Sequence, residues 1–217
     1  MDLSHEMSTT IEEADILYLP PSLDERAAIW VSGIFSPVVI SLFTIFFFAW
    51  HTHVQAWRIG IYLVLAVILP VLYTLWLIRR GYLSDFHMNI HSQRIRPMIV
   101  ITLFSVLAWA AVWFTQSAAD TITIITGMAS LETIILAIIT LRWKISGHAC
   151  SISGLAVLLL AAVGYAALPV FIIIPLVIWA RVHLGRHTLS QACTGALTGA
   201  LFSLWAIILV RASGLVL

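Results

Sequence analysis

Charge is what this sequence has least of. Of its 217 residues, 10% are charged and 61% are hydrophobic, and the mean hydropathy is +1.04. A soluble domain covers its surface with charge, so this balance points to lipid as the solvent. The net charge of +1 leaves no basic excess of the kind that binds nucleic acid, and that class of partner is excluded. The N-terminus lacks the basic-then-apolar order of a signal peptide, since it carries Glu12, Glu13, Asp15, Asp24 and Glu25. Cysteine is scarce as well. The spacing of Cys150 and Cys193 fits no zinc or redox motif, and both read as small buried apolar residues. No internal repeat is visible.

What is present is a series of apolar runs. A spanning helix needs ~20 mostly apolar residues. Residues 27–50, 59–78, 97–115, 121–141, 149–166, 169–180 and 191–210 qualify as spans or span cores. The sequence therefore predicts an all-α, polytopic transmembrane bundle. It has seven spans if Gly164 and Pro169 mark a tight turn, and six if they kink one long helix. Residues 1–26 form an acidic N-terminal tail, and 27–217 form the membrane domain. Within the tail, Ile16–Leu19 followed by Pro20-Pro21 either docks on the membrane surface or stays mobile. Trp50, Trp57, Trp143 and Trp179 sit at the edges of the apolar runs, as an interfacial aromatic belt requires.

Pairs of spans separate the polar stretches 79–96, 142–148 and 181–190, so all three emerge on one face. That face carries Arg79, Arg80, Arg94, Arg96, Arg142, Lys144, Arg181 and Arg186, eight of the eleven basic residues. Arg79, Arg80 and Arg142 read as positive-inside anchors. The loop Lys144-Ile145-Ser146-Gly147-His148 precedes a span, where free backbone N–H groups bind anions. Gly147 allows close approach, Ser146 adds a hydroxyl, Lys144 adds a compact charge and His148 can exchange a proton. In the turn, Arg181 and Arg186 can clamp phosphate oxygens. His187 and Gln191 are four apart and share a helix face. Gln191 is expected to accept the His187 Nδ1–H, leaving Nε2 as a nucleophile. A helix N-terminus near His187 would keep the ring neutral. His183 is divided evenly between function and an interfacial role. Glu132 lies mid-span, with Thr126, Ser130 and Thr133 close enough in sequence to solvate it. A structural contact and a proton or substrate role are both open for it. Asp85, His87 and His91 admit a metal-ligand reading, but the loop shows no supporting ligand pattern.

These residues resemble the type 2 phosphatidic acid phosphatase superfamily of integral membrane lipid phosphatases. Its signature is K-x6-R-P, P-S-G-H and S-R-x5-H-x3-D. Here the parts read Asn89 with Arg96-Pro97, then Ile145-Ser146-Gly147-His148, then Ala180-Arg181 with His187 and Gln191. The resemblance covers roughly residues 89–200. It departs from the pattern at Asn89, Ile145, Ala180 and Gln191.

The resemblance implies a phosphatase that needs no metal or cofactor. In it His187 attacks phosphorus and becomes a phosphohistidine, and His148 protonates the leaving oxygen. Arg96, Arg181, Ser146 and Gly147 hold the phosphoryl oxygens. Lys144 stands in for the lysine missing at Asn89, and Asp85 is the first acid to examine in place of the aspartate that Gln191 replaces. The implied substrate is a membrane lipid: a polyprenyl diphosphate, phosphatidic acid or phosphatidylglycerophosphate. The implied location is the cell (inner) membrane. Transfer of the phosphoryl group to another acceptor is a second outcome. A non-catalytic head-group binder or transporter, with Glu132 as coupling acid, is a third. The positive-inside rule puts the arginine-rich face in the cytoplasm, whereas many members of the family carry their site on the other side.

Overall fold

A computed structural model describes residues 22–84, 94–115 and 120–217. Asp85, His87, Asn89 and His91 lie outside the described residues, as does the tail up to residue 21. The described chain is an all-α membrane bundle. Six of its helical stretches are long and apolar enough to cross a bilayer, so the protein is an integral membrane protein.

Helix α1 spans Leu23–Ile34. It begins before the predicted span because Ser22 and Glu25 form a reciprocal capping box, with N–H groups of each bonded to the other's side chain at 2.9 and 3.2 Å. Asp24 and Glu25 thereby fall in its first turn, where the helix dipole favours acids. The predicted span 27–50 is not one helix. Ser36 caps a new helix, α2 (Pro37–His51), with Pro37 at its first position.

Helix α3 (Ala56–Leu63) passes through a π turn, Val64–Ile68, into α4 (Leu69–Arg79). Pro70 has no N–H to give one turn back, and the helix widens in the stretch just before it. Helix α5 is Ile95–Phe114 and α6 is Thr121–Thr140. Then follow α7 (Gly147–Val163), α8 (Leu168–His183) and α9 (Leu189–Ala212). Gly164, at φ +62° and ψ −144°, adopts a conformation that side chains disfavour, and it breaks the stretch 147–183 into two arms. Ile152, Leu155 and Leu159 on one arm pack with Val177 on the other. The ambiguous break is therefore a turn, and α7 and α8 are separate antiparallel segments.

Small residues bring α7 and α9 together. A Cβ on Gly199 would collide with the Cys150 carbonyl oxygen, and one on Gly195 with the Ser146 carbonyl oxygen. Backbones that approach this closely leave room only for glycine. The Ser153 hydroxyl donates to the Ala196 carbonyl across the same seam at 2.6 Å. Between α5 and α6, Ser130 Oγ donates to the Ser105 carbonyl at 2.9 Å.

Eight of the described helices start or end on one face: α2, α5, α7 and α9 start there, and α1, α4, α6 and α8 end there. The far face is closed by polar ties. His51 Nε2 donates to the Leu217 carbonyl at 3.0 Å, and Thr121 donates to the Val216 carbonyl at 2.7 Å. Arg58 pairs with Asp120 at 2.6 Å. Burial pushes the Asp120 carboxyl up, but the Arg58 guanidinium and the hydrogen bonds from Thr123 outweigh it and hold the group below its ordinary value. Trp50 and Trp57 are exposed near the far face, and Trp143 and Trp179 near the other. These positions match an aromatic belt at each interface.

Candidate functional site

The site is assembled where the C-terminal end of α8 meets the N-terminal ends of α7 and α9. Helix α8 ends because Gly185 takes a left-handed conformation, φ +62°. The chain then folds back, and the Arg181 carbonyl accepts from both Arg186 N (3.0 Å) and His187 N (3.2 Å). This return explains the five-residue interval physically, because it brings His187 beside the arginine that ends the helix. Thr188 caps α9 immediately afterwards.

The loop before α7 is tied to this turn at two points. His187 Nδ1 lies 3.2 Å from the Lys144 carbonyl oxygen, and Ser146 N donates to the Gln191 carbonyl at 3.3 Å. A carbonyl oxygen can only accept, so this bond requires the proton on Nδ1 and leaves the lone pair on Nε2. His187 is 6% exposed. Burial, followed by the nearby charges of Arg181 and Arg94, lowers its pKa to about 3. The ring is neutral, with its proton on Nδ1.

Arg181 is buried, 1% exposed, and its Nη1 donates to Ser32 Oγ of α1 at 2.7 Å. A cavity of about 330 Å³ opens at this end of the bundle. Arg94, Arg181, His148, His187 and Gly147 line one part of it, and Val67, Val71, Met98, Ile101 and Leu136 line much of the remainder, with Thr74, Ser105, Glu132 and Thr133 among them. It is cationic at the face and mostly apolar within, with the Glu132 carboxyl as an acidic exception. The N–H groups of Gly147 and His148 belong to the first turn of α7, so they point toward this end of the cavity.

Several expected roles change. Gln191 does not orient His187. Its Oε1 accepts from Thr188 N at 3.1 Å in a capping box, so the helix terminus takes up the side chain, and the Lys144 carbonyl performs the orienting. Arg96 does not reach the cavity. It is exposed, with its guanidinium over the Tyr82 ring at 5.8 Å, while Arg94 is buried and lines the cavity. Ser146 is fully buried as the cap of α7, its Oγ accepting from Ala149 N at 3.4 Å, so the hydroxyl is committed to the helix. Lys144 contributes its main chain to His187, and its ammonium adds to the positive field there. Arg186 is half-buried and does not line the cavity.

His183 is exposed and stacks on Trp179, an interfacial arrangement. Arg79, Arg80 and Arg142 are exposed, as anchors are. Cys150 is buried as expected, but Cys193 is exposed on α9. Glu132 is bonded by the Cys150 thiol at 2.8 Å, not by the neighbouring hydroxyls. Those of Thr126, Ser130 and Thr133 turn to main-chain carbonyls and to Ser105. Sequence reasoning missed Ser32 and treated Arg94 only as a topology charge. No motif marks Ser32, because it reaches Arg181 only through tertiary packing.

Comparison with family models, curated proteins and solved structures yields no match for this chain. The resemblance rests on the motif residues alone.

Proposed function

We propose that the protein is a lipid phosphatase that works through a phosphohistidine at His187. The observation that carries this reading is the neutral, buried imidazole held by the Lys144 carbonyl at the cationic end of a mostly apolar cavity. An anionic head group fits against Arg94, Arg181 and the first amides of α7. Its chain fits the apolar remainder. Such a division suits an amphiphile and has no use for a free, fully polar phosphate ester.

In the proposed reaction the Nε2 lone pair of His187 attacks phosphorus. The bond from phosphorus to the ester or bridging oxygen breaks, and that oxygen takes a proton from His148. Water then attacks the phosphohistidine and gives its proton to His148. The P–N bond breaks and phosphate leaves. Arg94 and Arg181 stabilise the charge on the equatorial oxygens, which is where catalysis of phosphoryl transfer concentrates. The cell membrane is the proposed location, and the lipid is one of the phosphates or diphosphates named above.

The test is phosphate release in detergent from phosphatidic acid, phosphatidylglycerophosphate and a polyprenyl diphosphate, with EDTA present, for the wild type and His187→Ala. Release that survives EDTA and is lost in the variant, together with an acid-labile phosphate on residue 187, supports the reading. Head-group binding without release from any lipid would replace it with a binder.

A further inference from the structure

Glu132 is a carboxyl in the middle of α6, where an ionisable group is costly and points to function by default. It lines the site cavity. It also lines a second cavity of about 120 Å³, which continues toward Phe48, Ile122 and Leu158. Ser41, Tyr62, Cys150 and Ser151 are shared between the two. Glu132 thus stands at the junction, between the cationic end and the deeper apolar space.

Its depth follows from α7. Cys150, whose thiol donates to Glu132 Oε1 at 2.8 Å, is three residues along the helix from Gly147. At 1.5 Å per residue that is about 4.5 Å below the amides at the anion-binding end. A thiol is a weak donor and meets only one of the two carboxyl oxygens. A plain alkyl chain laid past this point would strip water from the carboxyl and give nothing back.

We propose that Glu132 is a recognition site for a hydrogen-bond donor, an ammonium or hydroxyl group, carried by the amphiphile within a few bonds of its phosphate. The ligand class is therefore narrower than any lipid phosphate: its phosphate meets the arginines and its donor meets Glu132. This rests on the phosphate-binding reading of the cavity's cationic end.

The experiment uses the full chain in non-ionic detergent and measures binding of three phosphonates, whose C–P bond the proposed reaction does not cleave. They are a plain dodecylphosphonate and its 2-hydroxy and 2-amino derivatives. Wild type is expected to bind at least one derivative roughly tenfold or more tighter than the plain compound. Glu132→Leu is expected to erase that difference. Glu132→Gln, which keeps the shape if the leucine variant fails to fold, is expected to lose the amine preference and retain a hydroxyl preference. Equal binding of all three by wild type, binding of none, or a preference that survives in the folded variants overturns the proposal. Release of phosphate from dodecyl phosphate is followed in parallel. Release that depends on His187 without donor preference removes Glu132 recognition and leaves the phosphatase. Donor preference that depends on Glu132 without release keeps the recognition and removes the phosphatase.

Discussion

At the scale of single residues, the site depends on holding one imidazole neutral. The His187 pKa of about 3 lies below its ordinary 6.5, so the unfolded chain binds this proton more readily than the folded one. Stability from this group is complete above about pH 6.5 and falls as pH drops toward 3. In the proposed reaction the attacking ring therefore stays unprotonated through that window. An acid limb of phosphate release near pH 6 to 7 would then belong to another group, and the ring of labelled His187 observed by NMR should not titrate above pH 5. Arg94 and Arg96 make a second test. Arg94→Ala is expected to lower release by ~100-fold, in the range seen when a charge-stabilising donor is removed, and Arg96→Ala to stay within about twofold. Equal losses in steady-state assays would contradict the geometry.

At the scale of elements, the close seam between α7 and α9 holds the two halves of the site in register. Gly195 faces the Ser146 carbonyl, directly beside the first turn of α7. Gly195→Ala forces two backbones apart. It is expected to cost about 3 kcal/mol, the upper end of overpacking penalties, because neither contact atom is a flexible side-chain tip. Activity should fall further than stability predicts, since His148 moves relative to His187. Thermal melts and release assays on one preparation check both. Gln191→Ala belongs to the same scale. As a cap it is expected to cost about 1 kcal/mol and leave release within a few-fold. Complete loss of release would restore the direct orienting role.

At the scale of the whole molecule, the face opposite the site is locked by Arg58 and Asp120, which join α3 to the start of α6. Asp120→Ala leaves a buried guanidinium without its carboxylate. The expected cost is about 1–3 kcal/mol, below that of a fully buried pair because Asp120 is partly exposed. Replacing both residues with leucine should recover part of the loss, measured as melting temperature in detergent. Because this lock lies at the far end of the bundle, release at low temperature should be nearly unchanged.

Much of the architecture was legible in the chain because a bilayer imposes a length and a polarity on every span. The apolar segments, the shared face of the polar stretches around 94–96, 142–148 and 181–190, and the presence of His148 and His187 at one end of the bundle all follow from linear order. The split at Ser36-Pro37 was legible too, since a capping serine before proline starts a helix, but the apolar run across it masked the signal. Tertiary structure alone decided the partners. Gln191 had two possible uses, and the free N–H groups of its own helix terminus claimed it. Arg94 and Arg96 differ by two positions and so point to different sides of the same first turn, which put one in the cavity and the other on Tyr82. The bond from Ser32 to Arg181 crosses 149 residues, and the bond from Cys150 to Glu132 joins different helices. Spacing along a chain specifies which residues share a face of one helix, whereas which faces meet is set by packing among all of them.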